Sequence, residues 1–446
     1  MSNPAKTTVT AKSRKKEKVD ILIVNADELI TLAGNSQKPR LSKEMRELGI
    51  IRNGALAIKD GKIIAVGKTV DIAKSFKAEN IVNASGKTVM PGFVDPHTHL
   101  VFAGSREDEF QMRIEGAYYM EILQTGGGIL KTVKETRRAS EEKLVRFGLK
   151  TLDVMLEHGA TTVEAKSGYG LTVKDEIKIL GAMQRINQLH CVDVVPTFMG
   201  AHAIPSEFKG NVEGYLNLIV DEMVPKAAEK RLAEYCDVFC EKGVFSLEQS
   251  RRVLAAGKRY GLKPKIHADE MTTLGGAELA AEIGAVSAEH LLFSSIEGTK
   301  AMAEKGVIAV LLPAAAFSLM TGRYVDARKM IELGVPVALG TDFNPSCWVE
   351  NMQLVIAFAC HFLRLTSAEC ITAATINAAH AIGRAGEVGS LEIGKRADIV
   401  VLDIPNHKFL GYRFGVNLVE KVIKNGRIVV DKEAEKFKPP EFSKEL

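Results

Sequence analysis

Tryptophan occurs once in the 446 residues, and aromatic residues make up only 6% of them. The six cysteines are too few for a disulfide framework in a chain this long, and Cys236 and Cys240 lack the paired spacing of a zinc knuckle. Reduced thiols in a cytoplasm are therefore expected. Long hydrophobic runs are missing too. The longest, over 306–317, is too short to span a bilayer and is broken by Pro313, so no membrane span is expected. Residues 1–18 have no apolar stretch of the kind a signal peptide requires. Nor does one sign of charge dominate: 59 Lys and Arg against 55 Asp and Glu leave a net charge of +4. Interspersed charge of this kind argues against a nucleic-acid partner. The one basic cluster, Lys12, Arg14, Lys15, Lys16 and Lys18, reads as part of a solvated, disordered tail over 1–18.

Apolar residues, by contrast, are plentiful at 46%, and the length accommodates a barrel with an accessory domain. From Val19 to about Met90 the pattern is strand throughout, with Asp60-Gly61 marking a two-residue hairpin. The far end repeats the pattern, with a strand over 397–402 and then a hairpin about Asn425-Gly426. Neither segment can bury its own faces, so 19–90 and 391–446 are expected to form one small β-sandwich domain from both termini. Between them, over 91–390, eight strand-like runs alternate with helical stretches such as 142–158 and 173–189. The strands begin near Phe93, Thr161, Asp193, Asp237, Lys265, Ala285, Val307 and Val335. Eight β-then-α units predict an α/β fold, a (β/α)8 TIM-like barrel with its active site at the carboxyl ends of the strands. A doubly wound open sheet is disfavoured by the count of eight and by the lack of a Gly-x-Gly-x-x-Gly turn after the first strand.

The stretch Pro91-Gly92-Phe93-Val94-Asp95-Pro96-His97-Thr98-His99-Leu100 reads as a buried strand ending in two histidines. Residues two apart on a strand face the same way, so His97 and His99 can converge on one ion. Strand five adds His267, strand six His290 and strand eight Asp342. Each has a plainer reading: His267 as a core histidine, His290 as a capping partner, Asp342 as the N-cap of the next helix. Five such groups at one end of a barrel are hard to explain as caps and core.

This pattern resembles the amidohydrolase superfamily, whose members carry His-x-His on strand one, histidines on strands five and six, and an aspartate on strand eight. Within it, the chain resembles the imidazolonepropionases. The resemblance rests on the stretch 95–106, Tyr119-Met120-Glu121-Ile122, Thr125-Gly126-Gly127-Gly128-Ile129, Lys166-Ser167-Gly168-Tyr169-Gly170-Leu171, Gly200-Ala201-His202, His267-Ala268-Asp269-Glu270 and Thr341-Asp342-Phe343-Asn344-Pro345. It implies hydrolytic ring opening of 4-imidazolone-5-propanoate to N-formimino-L-glutamate in histidine degradation. It also implies one Zn2+ or Fe ion per subunit, and a homodimer.

Under that resemblance His97, His99, His267 and Asp342 hold the metal, and a bound ion lowers the pKa of its water to about 7. Asp342 also takes a proton, His290 polarises or relays, and Glu270 exchanges a proton with a ring nitrogen. Asp269 competes with Glu270 for that place, and only the resemblance prefers Glu270. Arg106 is the candidate for gripping the propanoate, since a guanidinium binds carboxylate in bidentate fashion. Its plainer reading is a surface arginine beside Glu107, Asp108 and Glu109. Tyr169 and His202 are placed to donate to the ring carbonyl or carboxylate, and Asn344, Ser346 and Cys347 to contact substrate. Gly126-Gly127-Gly128 suggests a mobile loop near the site. The chain departs from the family pattern at Ser346, where a glycine is usual, and Glu241 after strand four keeps a second metal site open. Two other readings stand beside this one. They are an amidohydrolase of another cyclic amide or nucleobase, and a catalytically inactive scaffold, although no ligand is missing.

Overall fold

Strands covered on both faces have no polar side to show, and the central strands are buried at almost every position. The computed structural model describes residues 16–34, 36–116 and 127–433. Eight parallel strands lie side by side in chain order: Phe93–Asp95, Ala160–Lys166, Asp193–Ala201, Tyr235–Cys240, Lys263–Ala268, Ser287–His290, Ile308–Leu311 and Val337–Leu339. The barrel closes just past the ends of the first and last. The Asp342 N–H donates to the His97 carbonyl at 3.0 Å, and the His99 N–H to the Phe343 carbonyl at 2.8 Å. The Asp95 carboxylate clamps the same seam, accepting from Thr341 Oγ1 at 2.6 Å and the Thr341 N–H at 3.1 Å. This is the (β/α)8 barrel that the alternating pattern predicts. The strand expected from Val335 is regular only over Val337–Leu339.

Several helices start where hydroxyls cap them. Ser140 accepts from the Lys143 N–H ahead of Glu141–Glu157, and Thr172 from the Asp175 N–H ahead of Val173–Leu189.

Outside the barrel are two further sheets. A four-stranded sheet uses the N-terminal region alone, in the order Lys62–Lys68, Gly54–Lys59, Glu17–Ala26, Phe76–Asn83. A six-stranded sheet mixes both ends of the chain: Arg427–Asp431, Val419–Lys424, Ile399–Leu402, Thr88–Pro91, Glu28–Ile30, Ile50–Ile51. Ile21, Ile23, Leu56 and Ile58 of the first pack with Val89, Ile399, Val401 and Ile423 of the second, a sandwich core. Both hairpin turns take positive φ at both central residues, Asp60 and Gly61 in one, Asn425 and Gly426 in the other. The turns abut: a Cβ on Gly426 would lie 2.7 Å from the Gly61 Cα, so only glycine fits.

The N-terminal region is not strand throughout. Thr69–Ser75 is a helix and Ser42–Arg46 a 3-10 turn. Ile72 of that helix is buried with Val19, Leu22, Ala55 and Ala57, so packing on the sheet decides its form. Lys18 is no part of a tail: it lies in strand Glu17–Ala26, with its ammonium 2.6 Å from Glu79. Lys12, Arg14 and Lys15 lie outside the described residues, as do Tyr119-Met120-Glu121-Ile122, Thr125 and Gly126. Among the described residues no helix is long and apolar enough to cross a membrane. All six cysteines are free.

Candidate active site

Strand ends bring the five sequence-predicted groups together. His97, His99, His267, His290 and Asp342 are all buried at the carboxyl end of the barrel. Asp342 Oδ1 lies 3.3 Å from His97 Nε2 and 3.7 Å from His99 Nε2. The His97 ring is 4.6 Å from that of His267 and 5.6 Å from that of His290. Potential ligand atoms of His97, His99 and Asp342 lie within 4.8 Å of one another, as do those of His97, His267 and His290. Two of these residues take a positive φ, Asp342 at 50° and His290 at 70°, as does Asp269, just past His267, at 50°. Non-glycine residues adopt this conformation at a cost, and such strain gathers at functional sites.

The donor set suits a divalent metal. Among the described residues, the Nε2 atoms of His97 and His267 are buried without a hydrogen-bond partner, a costly state for a polar atom unless a cation takes the lone pairs. His99 is held neutral, well below the usual histidine range, by burial and then by His202 and His97. His290 is pushed down to about 3, mainly by burial. Burial would raise the Asp342 carboxyl, but His97, His290 and His267 outweigh it and keep the group ionised. At His97, burial and Lys166 oppose a proton, yet Glu289 and Asp342 prevail and lift its pKa to about 9. The site therefore draws positive charge onto itself. Imidazole and carboxylate ligands of this kind suit zinc and iron alike.

A second layer backs the imidazoles. His97 Nδ1 lies 2.6 Å from Glu289 Oε2, and His267 Nδ1 lies 3.1 Å from Asp237 Oδ2. Carboxylates in that place fix ring orientation and tautomer. Sequence reasoning passes over both as strand residues. Their one signal is a charge inside an otherwise apolar run.

A cavity of about 460 Å³ opens above these groups, within the size range of small-molecule sites. It is lined by His99, His267, His290 and Asp342, and also by Arg106, Tyr169, His202, Glu270, Asn344, Ser346 and Cys347. Every site residue singled out from the sequence reaches it except His97, which lies wholly beneath.

Arg106 is no surface arginine. It is buried, donating from Nε to Thr132 Oγ1 at 3.0 Å and from Nη1 to Ser346 Oγ at 2.8 Å. Among the described residues its Nη2 has no partner. Arg113, which sequence reasoning misses, lines the same cavity with Nε and Nη2 buried and, among the described residues, unpartnered. Its signal is its spacing: seven residues past Arg106 is two helical turns, on one face. Ser346 does not need the glycine conformation, since its φ is not positive. Asn344 holds that loop, accepting from the Ser346 N–H at 2.7 Å and donating to the Asp342 carbonyl at 2.8 Å. The Cys347 thiol donates to the Thr341 carbonyl at 3.6 Å, and burial pushes its pKa well up, so it stays a neutral thiol.

Asp269 and Glu270 separate cleanly. The Asp269 carboxylate accepts from the N–H groups of Leu274, Gly275, Gly276 and Ala277, capping the helix Gly276–Ile283. Glu270 instead faces the cavity, 3.7 Å from His290 Nδ1. Burial first, then Asp342 and Glu241, lift its pKa to about 8, so it carries a proton at neutral pH. Glu241 is spent on the Lys242, Met271 and Thr272 N–H groups and the Thr272 hydroxyl. That leaves it no lone pair aimed at a second ion.

His202 differs in one respect from expectation. Its Nδ1 lies 3.0 Å from the Gly168 carbonyl, which can only accept, so that nitrogen carries the proton. Burial, then His267, pushes the ring down to about 3, leaving a neutral imidazole whose Nε2 accepts rather than donates. Gly168 permits the approach: at φ 107°, a Cβ there would meet His202 Nδ1 at 2.9 Å. The Tyr169 hydroxyl remains as a donor, raised far above its usual range by burial.

Comparison with known proteins gives the family. Residues 88–429 match the Amidohydrolase family. The chain is 54% identical over 415 residues to the imidazolonepropionase of Geobacillus sp. (strain WCH70), covering 92% of this chain and 98% of that one. It is 52% identical over 417 residues to the imidazolonepropionase of Alkaliphilus metalliredigens (strain QYMF), covering 93% and 99%. In fold it is similar to an adenosine deaminase from Xanthomonas campestris, with a TM-score of 0.69 at 19% identity and 94% of each chain covered. It is likewise similar to a 5-methylcytosine deaminase from Klebsiella pneumoniae, with a TM-score of 0.70 at 17% identity, covering 94% and 99%. On its residues, its fold and these relatives, the chain belongs to the amidohydrolase family and, within it, to the imidazolonepropionases.

Proposed function

We propose that this enzyme hydrolyses the cyclic amide of 4-imidazolone-5-propanoate, giving N-formimino-L-glutamate in histidine degradation. The observation that carries the reading is one cavity with two different ends. At its base converge His99, His267 and Asp342, with His97 beneath; on its wall stand two guanidiniums, Arg106 and Arg113, with nitrogens unpartnered among the described residues. A substrate with a ring to open and a carboxylate to hold fits both.

His97, His99, His267 and Asp342 would hold one Zn2+ or Fe ion per subunit. The ion supplies a Lewis acid and water acidified to about neutral pKa. Arg106 and Arg113 bind the propanoate and set the ring over the base of the cavity. His202 Nε2 accepts from a ring N–H, and the Tyr169 hydroxyl donates to a substrate oxygen. Asp342, ionised and with a second carboxylate oxygen, takes the proton lost by the attacking water. His290, neutral, polarises the carbonyl or relays that proton. Glu270, protonated, delivers a proton to the ring nitrogen as the C–N bond breaks. Atoms balance: water adds across the amide, its oxygen to carbon and its protons to the nitrogen and the new carboxyl group. A cytoplasmic homodimer completes the reading.

The test is loss of imidazolone ultraviolet absorbance with purified protein, run beside a chelator-stripped control. Fast loss that chelation abolishes and metal restores supports the reading. No loss with metal bound removes this substrate, and loss untouched by stripping removes the metal.

A further inference from the structure

Below the histidines lie five fully buried charged side chains: Glu164, Lys166, Asp237, Lys265 and Glu289. Interiors do not accept charges without partners, and here the partners are arranged unevenly. Lys166 Nζ lies 2.8 Å from Glu164 Oε1, 2.8 Å from Asp237 Oδ2 and 2.9 Å from Glu289 Oε2. The last two are the very oxygens that face the metal-site imidazoles, at His267 Nδ1 and His97 Nδ1. Lys265 pairs with the other oxygen of Glu289, Oε1, at 3.1 Å, and with the Pro96 carbonyl at 3.3 Å. It touches no oxygen that faces a histidine.

Asp237, His267 and Glu289 have potential ligand atoms within 4.8 Å of one another, a set able to hold a cation of its own. Lys166 is inserted between the two carboxylates of that set. Remove its charge and two carboxylates face each other in a dry interior, where their repulsion turns one of them away and releases an imidazole.

We propose that Lys166 is a positioning residue that serves as a permanent internal cation. It pins Asp237 and Glu289 against the Nδ1–H groups of His267 and His97, which leaves both Nε2 lone pairs for the metal. It also fills the place a second divalent ion would take, which restricts the centre to one. This rests on the metal ligands assigned under the proposed function, but its test needs no substrate.

The test compares parent, K166M, K265M and the double variant E164Q/K166M, each loaded with zinc alone. The double variant removes one acid and one base together, so the net charge of the cluster is unchanged, and Glu164 faces neither histidine. Zinc per chain is counted by atomic emission, and zinc release to a chromogenic chelator is timed on the folded protein, with circular dichroism as the check on folding. One zinc is expected in the parent. Release should be about 10–100-fold faster in K166M and E164Q/K166M, the usual loss when an outer partner of a ligand is removed, and near the parent rate in K265M. Parent-like release from folded E164Q/K166M overturns the proposal. So does a parent that holds two zinc ions with Lys166 in place, a result that requires no variant to fold. A parent that binds no zinc overturns both this and the ligand assignment; one zinc with unchanged release overturns this alone.

Discussion

Asp342 and His97 are joined twice. The Asp342 N–H donates to the His97 carbonyl at 3.0 Å, closing the barrel between its last and first strands. Its carboxylate oxygen then lies 3.3 Å from His97 Nε2, at the centre of the ligand cluster. The seam that completes the fold is thus also the seam that assembles the proposed metal site, and the two contacts use different parts of the same residue.

That division predicts the behaviour of Asp342→Asn. The main-chain hydrogen bond survives, so the barrel should still form. The proposed anionic ligand and proton-accepting oxygen are lost. The expected result is a folded protein with reduced bound metal and turnover lower by about 10²–10⁴-fold, the usual worth of a general base. Metal content and thermal unfolding, measured on one preparation, check it. Near-parent turnover would remove Asp342 from the mechanism.

Much of this is legible in the sequence, and the reason is local contrast. His97, His99, His267 and Asp342 stand out because polar residues end apolar strands, and strand order alone brings those ends together. Arg113 does not stand out, since its value depends on which way the helix Glu107–Ile114 lies against the cavity. Asp269 and Glu270 are indistinguishable in sequence because their directions are set by a left-handed turn at Asp269, φ 50°, which no spacing rule reveals. Glu164, Lys166, Asp237 and Glu289 read as strand residues, although charges at alternate positions of a buried run could flag the first two. The helix Thr69–Ser75 escapes for a tertiary reason: burial of Ile72, not periodicity, selects it.

Asp269→Ala tests the separation of those neighbours. Asp269 is a cap, so its loss should destabilise the protein by about 1–2 kcal/mol, or more, as it serves four N–H groups. KM and metal content should stay near parent values. A lower melting temperature with intact kinetics fits; a kinetic defect in a protein of unchanged stability would make Asp269 the proton carrier.

Glu270→Gln should act in the opposite sense. With its pKa raised to about 8, the folded state holds the Glu270 proton more tightly than the unfolded chain does. That contribution to stability is present in full below the ordinary carboxyl pKa of about 4.3 and is lost as pH rises through about 8. A neutral amide avoids the loss. Metal-free Glu270→Gln should therefore match the parent at pH 4 and exceed it by a few kcal/mol at pH 9, since each tenfold gain in proton affinity is worth about 1.4 kcal/mol. Its turnover should fall by about 10²–10⁴-fold, and the alkaline limb of kcat/KM that Glu270 imposes should vanish. Denaturant unfolding at the two pH values reads the first effect, and the pH–rate profile the second.

The last prediction concerns the two guanidiniums. Buried N–H groups without acceptors cost stability, and among the described residues Arg106 and Arg113 both keep such groups at the cavity. Burial, and then Arg106 against the pull of Glu109, already holds Arg113 below its usual range. These costs make sense if a carboxylate arrives to satisfy them. Hydrogen bonds to charged groups are worth about 1.5–3 kcal/mol, so Arg106→Met and Arg113→Met should each raise KM for the propanoate substrate about 10–100-fold. An analogue in which a methyl group replaces the carboxylate gains nothing from either arginine, so its kcat/KM should scarcely change. Arg113→Met should also melt at a higher temperature than the parent, because it discards the unsatisfied charge. Arg106→Met gains less, since it also forfeits the bonds to Thr132 and Ser346. Higher KM with higher stability in one variant is a combination that a merely structural arginine could not produce.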